Sequence, residues 1–324
     1  MITTYPLLKI LADGQVHEAA TLRQALDEIG CNLVEQLALI ESMRLSVIKS
    51  QHGYRLEVPL DLLDEGVLRK SLGAAADHVN ALEITLSCDS TNQVLIDRSR
   101  NFRIHGTALF AEQQTQGRGR LGRAWVSPFG HNIYLSLGWH FAGGARALQG
   151  LSLAVGVAVA DAIKVCAGLD TELKWPNDIY IDGKKCGGIL IDMAGEPAGD
   201  TPVVIGVGLN VGMPVDQAKD IDQPWCDIRA VAPKPVSRSE LAGRLLAELV
   251  MLAKDYEHTG FMPWHARWSE RDYLLGRPVV IDSLVKLEGV GAGINEEGAL
   301  LVRTSAGLEA VFGGEATLRK SERS

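Results

Sequence analysis

The feature that most constrains the fold is the pattern of residues 82–211, where short apolar segments follow one another closely. These segments are LEITLSC, TALFAEQ, HNIYLSLGWHF, TELKWPNDIYIDG, KKCGGILIDMA and TPVVIGVGLNV. Their length and their β-branched and aromatic content are typical of strands. Long helical patterns stand only at 148–167 and 237–258. Strands in hairpin-like runs with occasional helices predict a mixed α/β (α+β) sheet, not a doubly wound one.

Two smaller modules flank this sheet. Segments 6–14, 18–30 and 32–43 have helical patterns, and 45–58 has the pattern of two short strands around a turn. Three helices followed by a hairpin predict a winged helix-turn-helix. Beyond residue 274, brief apolar segments separated by glycine-containing turns predict a small β-barrel. We therefore expect three domains, at 1–62, 63–273 and 274–324.

Charge and cysteine content exclude several classes of protein. The net charge of −8 gives no overall basic field to attract nucleic acid. The five cysteines form no C-x-x-C pair, and the N-terminal segment lacks the pattern of a signal peptide, so we expect a cytoplasmic protein. The apolar stretch 148–163 is shorter than the roughly 18 residues of a membrane span and predicts a buried helix.

Residues 115–125, TQGRGRLGRAW, interleave glycines with arginines and are called the arginine loop below. Glycines free the backbone, and guanidinium groups bind carboxylate or phosphate in a bidentate manner. The loop is not a P-loop, since it lacks the Gly-Lys-Ser/Thr signature. From spacing alone, an anion clamp and a solvated basic loop remain equally open.

Two further segments carry polar groups where strands end. Lys174 ends a strand before Pro176, and its ammonium suits a phosphate or a developing oxyanion; an ordinary turn with a surface lysine is the alternative. Ser90, Thr91 and Asn92 stand between a strand and a helix. They either cap that helix or bind a small polar ligand. No Ser-His-Asp order or metal-ligand cluster stands out, so an enzyme here would act by positioning and electrostatics.

Six motifs together resemble the biotin–protein ligase family in its three-domain, bifunctional ligase/repressor form. They are DSTNQ (89–93), GRGRLGRAW (117–125), SPFGHNIYLS (127–136), KWPNDIY (174–180), KKCGGIL (184–190) and IGVGLNV (205–211). The resemblance covers nearly the whole chain. It implies a winged helix-turn-helix, a class II synthetase-like catalytic domain and an SH3-like C-terminal barrel.

The resemblance also implies the chemistry. Biotin's carboxylate attacks the α-phosphorus of Mg·ATP to give biotinyl-5′-AMP, and a lysine of a biotin carboxyl carrier domain then attacks the mixed anhydride. Mg²⁺ arrives with ATP, so no metal site of the protein's own is expected. Family members also form a homodimer when the adenylate is bound.

Site residues are carried over by position. The catalytic group comprises Lys174, Arg118 and Arg120. The implied biotin contacts are Ser90, Thr91, Asn92, Gln114, Arg118, Gly119, Arg120 and Lys174, and the implied ATP or adenylate contacts are Trp125, Asn177 and Asn210. Residues 213–225 resemble a second mobile loop, with Met213, Val215 and Trp225 as apolar lids.

The N-terminal module departs from the family's repressors. The helix that corresponds to the DNA-reading helix, 32–43, has no lysine or arginine and carries Glu35 and Glu41. Residues 1–60 hold five positive and seven negative side chains, a net charge of −2. Because phosphate neutralisation supplies most DNA affinity, we expect operator binding to be weakened or lost.

Two other functions compete with ligation of biotin. One is a transcriptional repressor whose central domain only senses biotin, and the other is a ligase for another acid such as lipoate. Retention of Lys174 and of the whole arginine loop favours the enzyme, since a sensor need not stabilise a transition state. The arginine loop favours biotin, because lipoate ligases resemble this fold but lack that loop.

Overall fold

The computed structural model describes residues 5–43, 45–142, 144, 148–194, 200–282 and 286–318. The chain divides into two compact units, Met1–Leu63 and Asp64–Ser324. No helix in these described ranges is long and apolar enough to cross a membrane.

The first unit contains three helices and one hairpin. They are α1 (Pro6–Leu11), α2 (Ala19–Asp27), α3 (Leu33–Ser42), β1 (Val47–Ser50) and β2 (Gly53–Leu56). Asn32 caps α3, because its side-chain oxygen accepts hydrogen bonds from the backbone N–H groups of Val34 and Glu35. The first helix ends at Leu11, just before the Asp13-Gly14 pair that was expected to stop it, and Gly14 adopts φ +70°, which turns the chain.

The second unit is built on a seven-stranded mixed sheet, as predicted. Its strands are β3 (Ala81–Cys88), β4 (Thr107–Gln114), β5 (Ile133–Phe141), β6 (Glu172–Lys174), β7 (Asp178–Ile181), β8 (Lys184–Met193) and β9 (Thr201–Leu209). They lie in the order β3-β4-β5-β9-β8-β7-β6. The β3–β4 pair is parallel and the other pairs are antiparallel.

Helices cover this sheet. They are α4 (Glu65–Leu72), α5 (Thr91–Ser99), α6 (Leu151–Ala167), α7 (Ile228–Val231), α8 (Arg238–Thr259) and α9 (Met262–Ser269). The apolar stretch 148–163 falls mostly in α6, most of whose residues are buried, which confirms the predicted buried helix. Helix α6 packs against the sheet, and α8 packs against α6 and α4.

The two faces of the sheet have different neighbours. On β9, a side chain at Gly206 would collide with Asn92 of α5, whereas Ile189 of β8 lies near Gly156 of α6. Since successive residues of a strand point to opposite faces, Gly188 and its paired residue Gly208 share the α5 face. Because these glycines have no side chains, a planar ring can lie directly against the strands on this face.

The C-terminal strands form a five-stranded antiparallel sheet. They are β10 (Pro278–Asp282), β11 (Leu287–Ile294), β12 (Leu300–Thr304), β13 (Gly307–Val311) and β14 (Glu315–Leu318), in the order β13-β12-β11-β10-β14. In the part of the chain that the structure describes, no strand pairing joins β13 to β14. The brief strands were predicted, except that the segment 308–319, expected to be one strand, contains most of β13 and all of β14. The closed barrel stays a prediction.

Candidate active site

A cavity of about 540 Å³ lies on the glycine-lined face of the central sheet. Its walls come from the arginine loop, from β6 to β9, from residues 213–225 and from β14. Every site residue carried over from the motifs lines this cavity: Ser90, Thr91, Asn92, Gln114, Arg118, Gly119, Arg120, Trp125, Lys174, Asn177 and Asn210. The fold thus brings into one space residues that are up to 120 positions apart in the chain.

The floor of the cavity carries the indole of Trp125. A Cβ atom at Gly208 would lie 2.7 Å from this ring, and one at Gly188 would lie 3.3 Å from it. The ammonium of Lys185, a residue of β8, lies 5.7 Å from the centroid of this ring. The indole N–H is buried and has no hydrogen-bond partner among the described residues. The ring therefore lies with its N–H edge against the sheet at Gly208.

A neutral polar network closes one end of the cavity. The backbone N–H and the hydroxyl of Thr91 both donate to Oε1 of Gln114, at 2.9 and 3.1 Å. The hydroxyl oxygens of Ser136 and Thr91 lie 2.7 Å apart. Ser90 is the N-cap of α5, so the capping interpretation is confirmed for this residue. Hydroxyl and amide groups that converge without charge suit a small polar, uncharged ligand.

The side-chain amide of Asn92 already makes its hydrogen bonds within the protein. Its amide nitrogen donates to Oδ2 of Asp192 at 2.8 Å and to the carbonyl of Leu190 at 3.2 Å, and its oxygen accepts from Ser136. Both N–H donors are therefore used, and the side chain is buried. What this asparagine can do is orient Ser136 and Thr91.

The arginine loop is a short, twisted hairpin. Gly119 and Trp125 close it through backbone hydrogen bonds to Arg123 and Gly117, each 2.8 Å long. Leu121 at its tip adopts φ +54° and is 76% exposed. A tip that makes so few packing contacts can move without disturbing the sheet.

The three guanidinium groups of this loop have different partners. Arg118 donates to Gln93 of α5 at 2.5 Å, and Arg120 donates to Oδ1 of Asn177 at 3.5 Å. Arg123 pairs with Glu315 of β14 at 2.5 Å. Partial burial lowers the pKa of Arg120. All three arginines line the cavity, and Arg120 contacts Asn177 within it.

Two lysines lie across from the loop. Lys174, at the end of β6, has its ammonium 3.4 Å from the Tyr180 hydroxyl. Burial lowers the pKa of Lys174, and Asp178 partly opposes that shift. Lys185 pairs with Asp178 at 2.7 Å, and both side chains are 16% exposed. Together with Arg120, these lysines give the cavity a cationic wall suited to phosphate and carboxylate oxygens.

Sequence reasoning missed Lys185. The register of β7 and β8 shifts between Ile179 and Tyr180, so simple alternation of faces does not place this lysine. Glu315 was also missed, because only the tertiary fold brings β14 to the rim. The KKCGG motif itself was the available signal, with two lysines immediately before the two glycines.

Asparagines and a loop complete the walls. Asn177 donates to the carbonyl of Ile189 at 2.9 Å, and Asn210 donates to the carbonyl of Cys226 at 3.3 Å. Of the expected lid residues in 213–225, Met213 and Trp225 line the cavity. Val215 does not line it and is 79% exposed.

Comparison with known proteins gives consistent matches. The model of the biotin/lipoate A/B protein ligase family matches residues 86–210. The bifunctional ligase/repressor BirA of Salmonella typhimurium is 34% identical over 99% of this chain and 99% of its own. BirA of Escherichia coli is 32% identical over 98% and 97%.

A solved structure matches as well. The biotin protein ligase of Aquifex aeolicus in complex with biotin and ATP is 27% identical, with a TM-score of 0.63 over 75% of this chain and 100% of that one. Full-length relatives above 30% identity and a matching sheet agree with the motifs that line the cavity. The chain belongs to the biotin protein ligase family.

Proposed function

We propose that this protein activates biotin with ATP to biotinyl-5′-AMP and transfers the biotin to a lysine of a carrier domain, that of the acetyl-CoA carboxylase carrier protein. The observation that carries this proposal is one cavity with two unlike ends. A neutral network around Thr91 and Gln114 suits a ureido ring, and a cationic wall suits carboxylate and phosphate. Relatives named as biotin–[acetyl-CoA-carboxylase] ligases from Mycobacterium tuberculosis and Paracoccus denitrificans support it.

The cationic wall supports phosphoryl chemistry without a protein nucleophile. In-line attack of a carboxylate on phosphorus spreads negative charge over the phosphoryl oxygens. Lys174, Lys185 and Arg120 approach that space from three segments, so they neutralise charge as it develops. Mg²⁺ brought by ATP would neutralise part of the triphosphate charge. The same cations then hold the adenylate against the wall.

Roles are assigned by position and by the donors that remain. We place Thr91 and Gln114 against biotin's ring, where Gln114 keeps one amide N–H beyond its bond to Ser127. We assign Asn92 and Ser90 to orienting that pair, since their own groups are used within the protein. Gly119 lets Arg118 and Arg120 close over the linkage. Trp125 offers its indole face to the nucleotide, with Asn177 and Asn210 shaping the wall around it.

The decisive experiment is transfer of radiolabelled biotin to a purified carrier domain, with ATP and Mg²⁺ present and then omitted. We expect transfer that requires ATP and that a tenfold excess of lipoate leaves unchanged. Inhibition by lipoate together with lipoylation of a carrier would support the alternative acid. No transfer to any carrier, with biotin bound, would support the sensor.

The glycine floor gives a steric test of the nucleotide end. In Gly208→Ala the new methyl group would lie 2.7 Å from the Trp125 ring, so the indole has to move. We expect the KM for ATP to rise by about tenfold, as overpacking of this size implies, while the KM for biotin changes little. Gly156→Ala is the control, since its new methyl group on α6 would lie 3.5 Å from the nearest atom, on Leu173 of β6, an ordinary contact distance. Equal KM values for ATP in the two variants would contradict the assigned role of Trp125.

For the N-terminal unit we propose a winged helix-turn-helix, and for the C-terminal sheet an SH3-like barrel, which divides the chain at 1–62, 63–273 and 274–324. The order of three helices followed by a hairpin supports the first assignment. We also propose that the adenylate complex forms a homodimer, to be measured by sedimentation with and without biotin and ATP.

The repressor role suggested by the names of the relatives is a second candidate, and the composition of α3 weighs against it. This helix carries Glu35 and no basic residue, and Val34 on its surface is 73% exposed. We expect the affinity for the DNA of the cell's own biotin-operon promoter to be no higher than for random DNA. A salt titration of both binding curves measures this, with the Salmonella BirA and its own operator as positive control. Nanomolar, salt-sensitive and sequence-selective binding would overturn the expectation.

A further inference from the structure

The ammonium of Lys174 is held against one buried aromatic residue. Tyr180 of β7 is 7% exposed, and its hydroxyl oxygen lies 3.4 Å from Nζ of Lys174. The ammonium also lies 5.4 Å from the centroid of the tyrosine ring. A lysine has a flexible four-carbon stem, so the groups that contact its ammonium decide where the charge stays.

A second tyrosine fixes the position of the first. The rings of Tyr180 and Tyr273 have centroids 4.7 Å apart at an angle of 31°. The guanidinium of Arg277 lies 4.1 Å from the centroid of the Tyr273 ring and also pairs with Glu172 of β6 at 3.2 Å. The aromatic pair is thus held between β6 and the segment that leads to β10.

The same segment also holds the backbone beside Lys174. Leu173 donates to the carbonyl of Arg271 at 2.7 Å, and Tyr273 donates to the carbonyl of Leu173 at 3.0 Å. Residues 271–277 therefore fix both the strand that bears the lysine and the ring that its ammonium contacts.

We propose that Tyr180 is a positioning residue for the ammonium of Lys174, and that Tyr273 backs it from the segment leading to the C-terminal sheet. This inference rests on the proposed ligase function. Without the hydroxyl, Asp178 does not replace it as an acceptor, since that carboxylate is already paired with Lys185 at 2.7 Å. The cationic wall would then lose one of its fixed charges.

The charges that face Lys174 come from several elements. Asp178 and Glu315 favour its protonated form, whereas Lys185 and Arg123 disfavour it. Burial lowers the pKa of Lys174 further. A hydroxyl that accepts from the ammonium also favours the protonated form, so its removal shifts the pKa downward.

The test is Tyr180→Phe, which keeps the ring and removes the acceptor. We expect kcat for adenylate formation to fall by about tenfold, the range for one hydrogen bond to a charged group, with KM values for biotin and ATP within about twofold of the wild type. The alkaline limb of the pH profile of kcat should move to lower pH. Tyr273→Leu, which removes the stacked ring, should produce the same pattern more weakly.

Tyr256→Phe is the matched control. This tyrosine is also buried, but its hydroxyl donates to the carbonyl of Gln149, away from Lys174. We expect a lower melting temperature with kcat and the alkaline limb unchanged. If Tyr180→Phe shows only the lower melting temperature, its role is structural and the proposal is wrong.

A readout without turnover separates this proposal from the proposed function. Competitive acetylation of lysines at several pH values, followed by mass spectrometry, gives the pKa of Lys174 directly. A lower value in Tyr180→Phe than in the wild type supports the positioning role even if the wild type forms no biotinyl-AMP. An unchanged pKa in a catalytically active wild type overturns the positioning role and leaves the ligase function intact.

Discussion

Lys174→Ala is expected to lower the rate of biotinyl-AMP formation by roughly 10²–10³-fold, the cost of removing one preorganised group that stabilises transition-state charge. The ammonium stands in a partly dehydrated wall, where a charge is worth more than in water. Its contact with biotin's carboxylate and the α-phosphate would strengthen as charge spreads during attack. Pyrophosphate release under single-turnover conditions measures the rate.

Two further variants sharpen this result. Lys174→Met keeps the aliphatic stem and removes only the charge, so we expect it to be as slow as Lys174→Ala. Lys184→Ala removes an exposed lysine from β8 and should leave the rate unchanged. Lys174→Ala within a few-fold of the wild type would exclude this lysine from adenylate formation.

Features of the fold and of the site were predictable from the sequence where local pattern determines them, and were not where tertiary packing does. The central strands, the buried helix α6 and the cap at Ser90 follow from periodicity and from local hydrogen bonding, and each was predicted. The spacing of the arginine loop alone could not distinguish an anion clamp from a solvated basic loop, and only the other family motifs decided between them. Those motifs identified the cavity because the sheet order brings separate strand ends together.

What was missed depended on long-range geometry. The irregular register between β7 and β8 hid Lys185, and the approach of β14 to the arginine loop hid Glu315. The commitment of Asn92 to Asp192 was equally invisible, since these residues are 100 positions apart in sequence. Polarity marks a residue as a candidate ligand, but only the full set of hydrogen bonds tells whether its groups are free.

The pairing of Arg123 with Glu315 bears on how the arginine loop acts. It joins one side of the loop to the C-terminal sheet, while Arg120 on the other side reaches Asn177 inside the cavity. The exposed Leu121 and Gly122 lie between these anchors and leave the tip free to close. The loop therefore has a fixed base and an inner arginine that can follow a bound anion.

Arg120→Gly is accordingly expected to release biotinyl-AMP instead of retaining it. Loss of a charge-assisted, partly buried contact to phosphate should speed release by about 10–100-fold. The free anhydride would then acylate exposed lysines of bystander proteins. Adenylate recovered after rapid gel filtration, and biotin on added serum albumin, measure both effects.

Leu121→Gly separates lost charge from added flexibility. It places a glycine at the next position, where φ is already +54°, and leaves every cation of the loop in place. We expect Leu121→Gly to retain the adenylate as the wild type does, and Arg120→Lys to lie between wild type and Arg120→Gly, because a point charge replaces the bidentate fork. If Leu121→Gly leaked as much as Arg120→Gly, closure of the backbone rather than the guanidinium would retain the intermediate. If neither variant leaked, the arginine loop would not be the clamp.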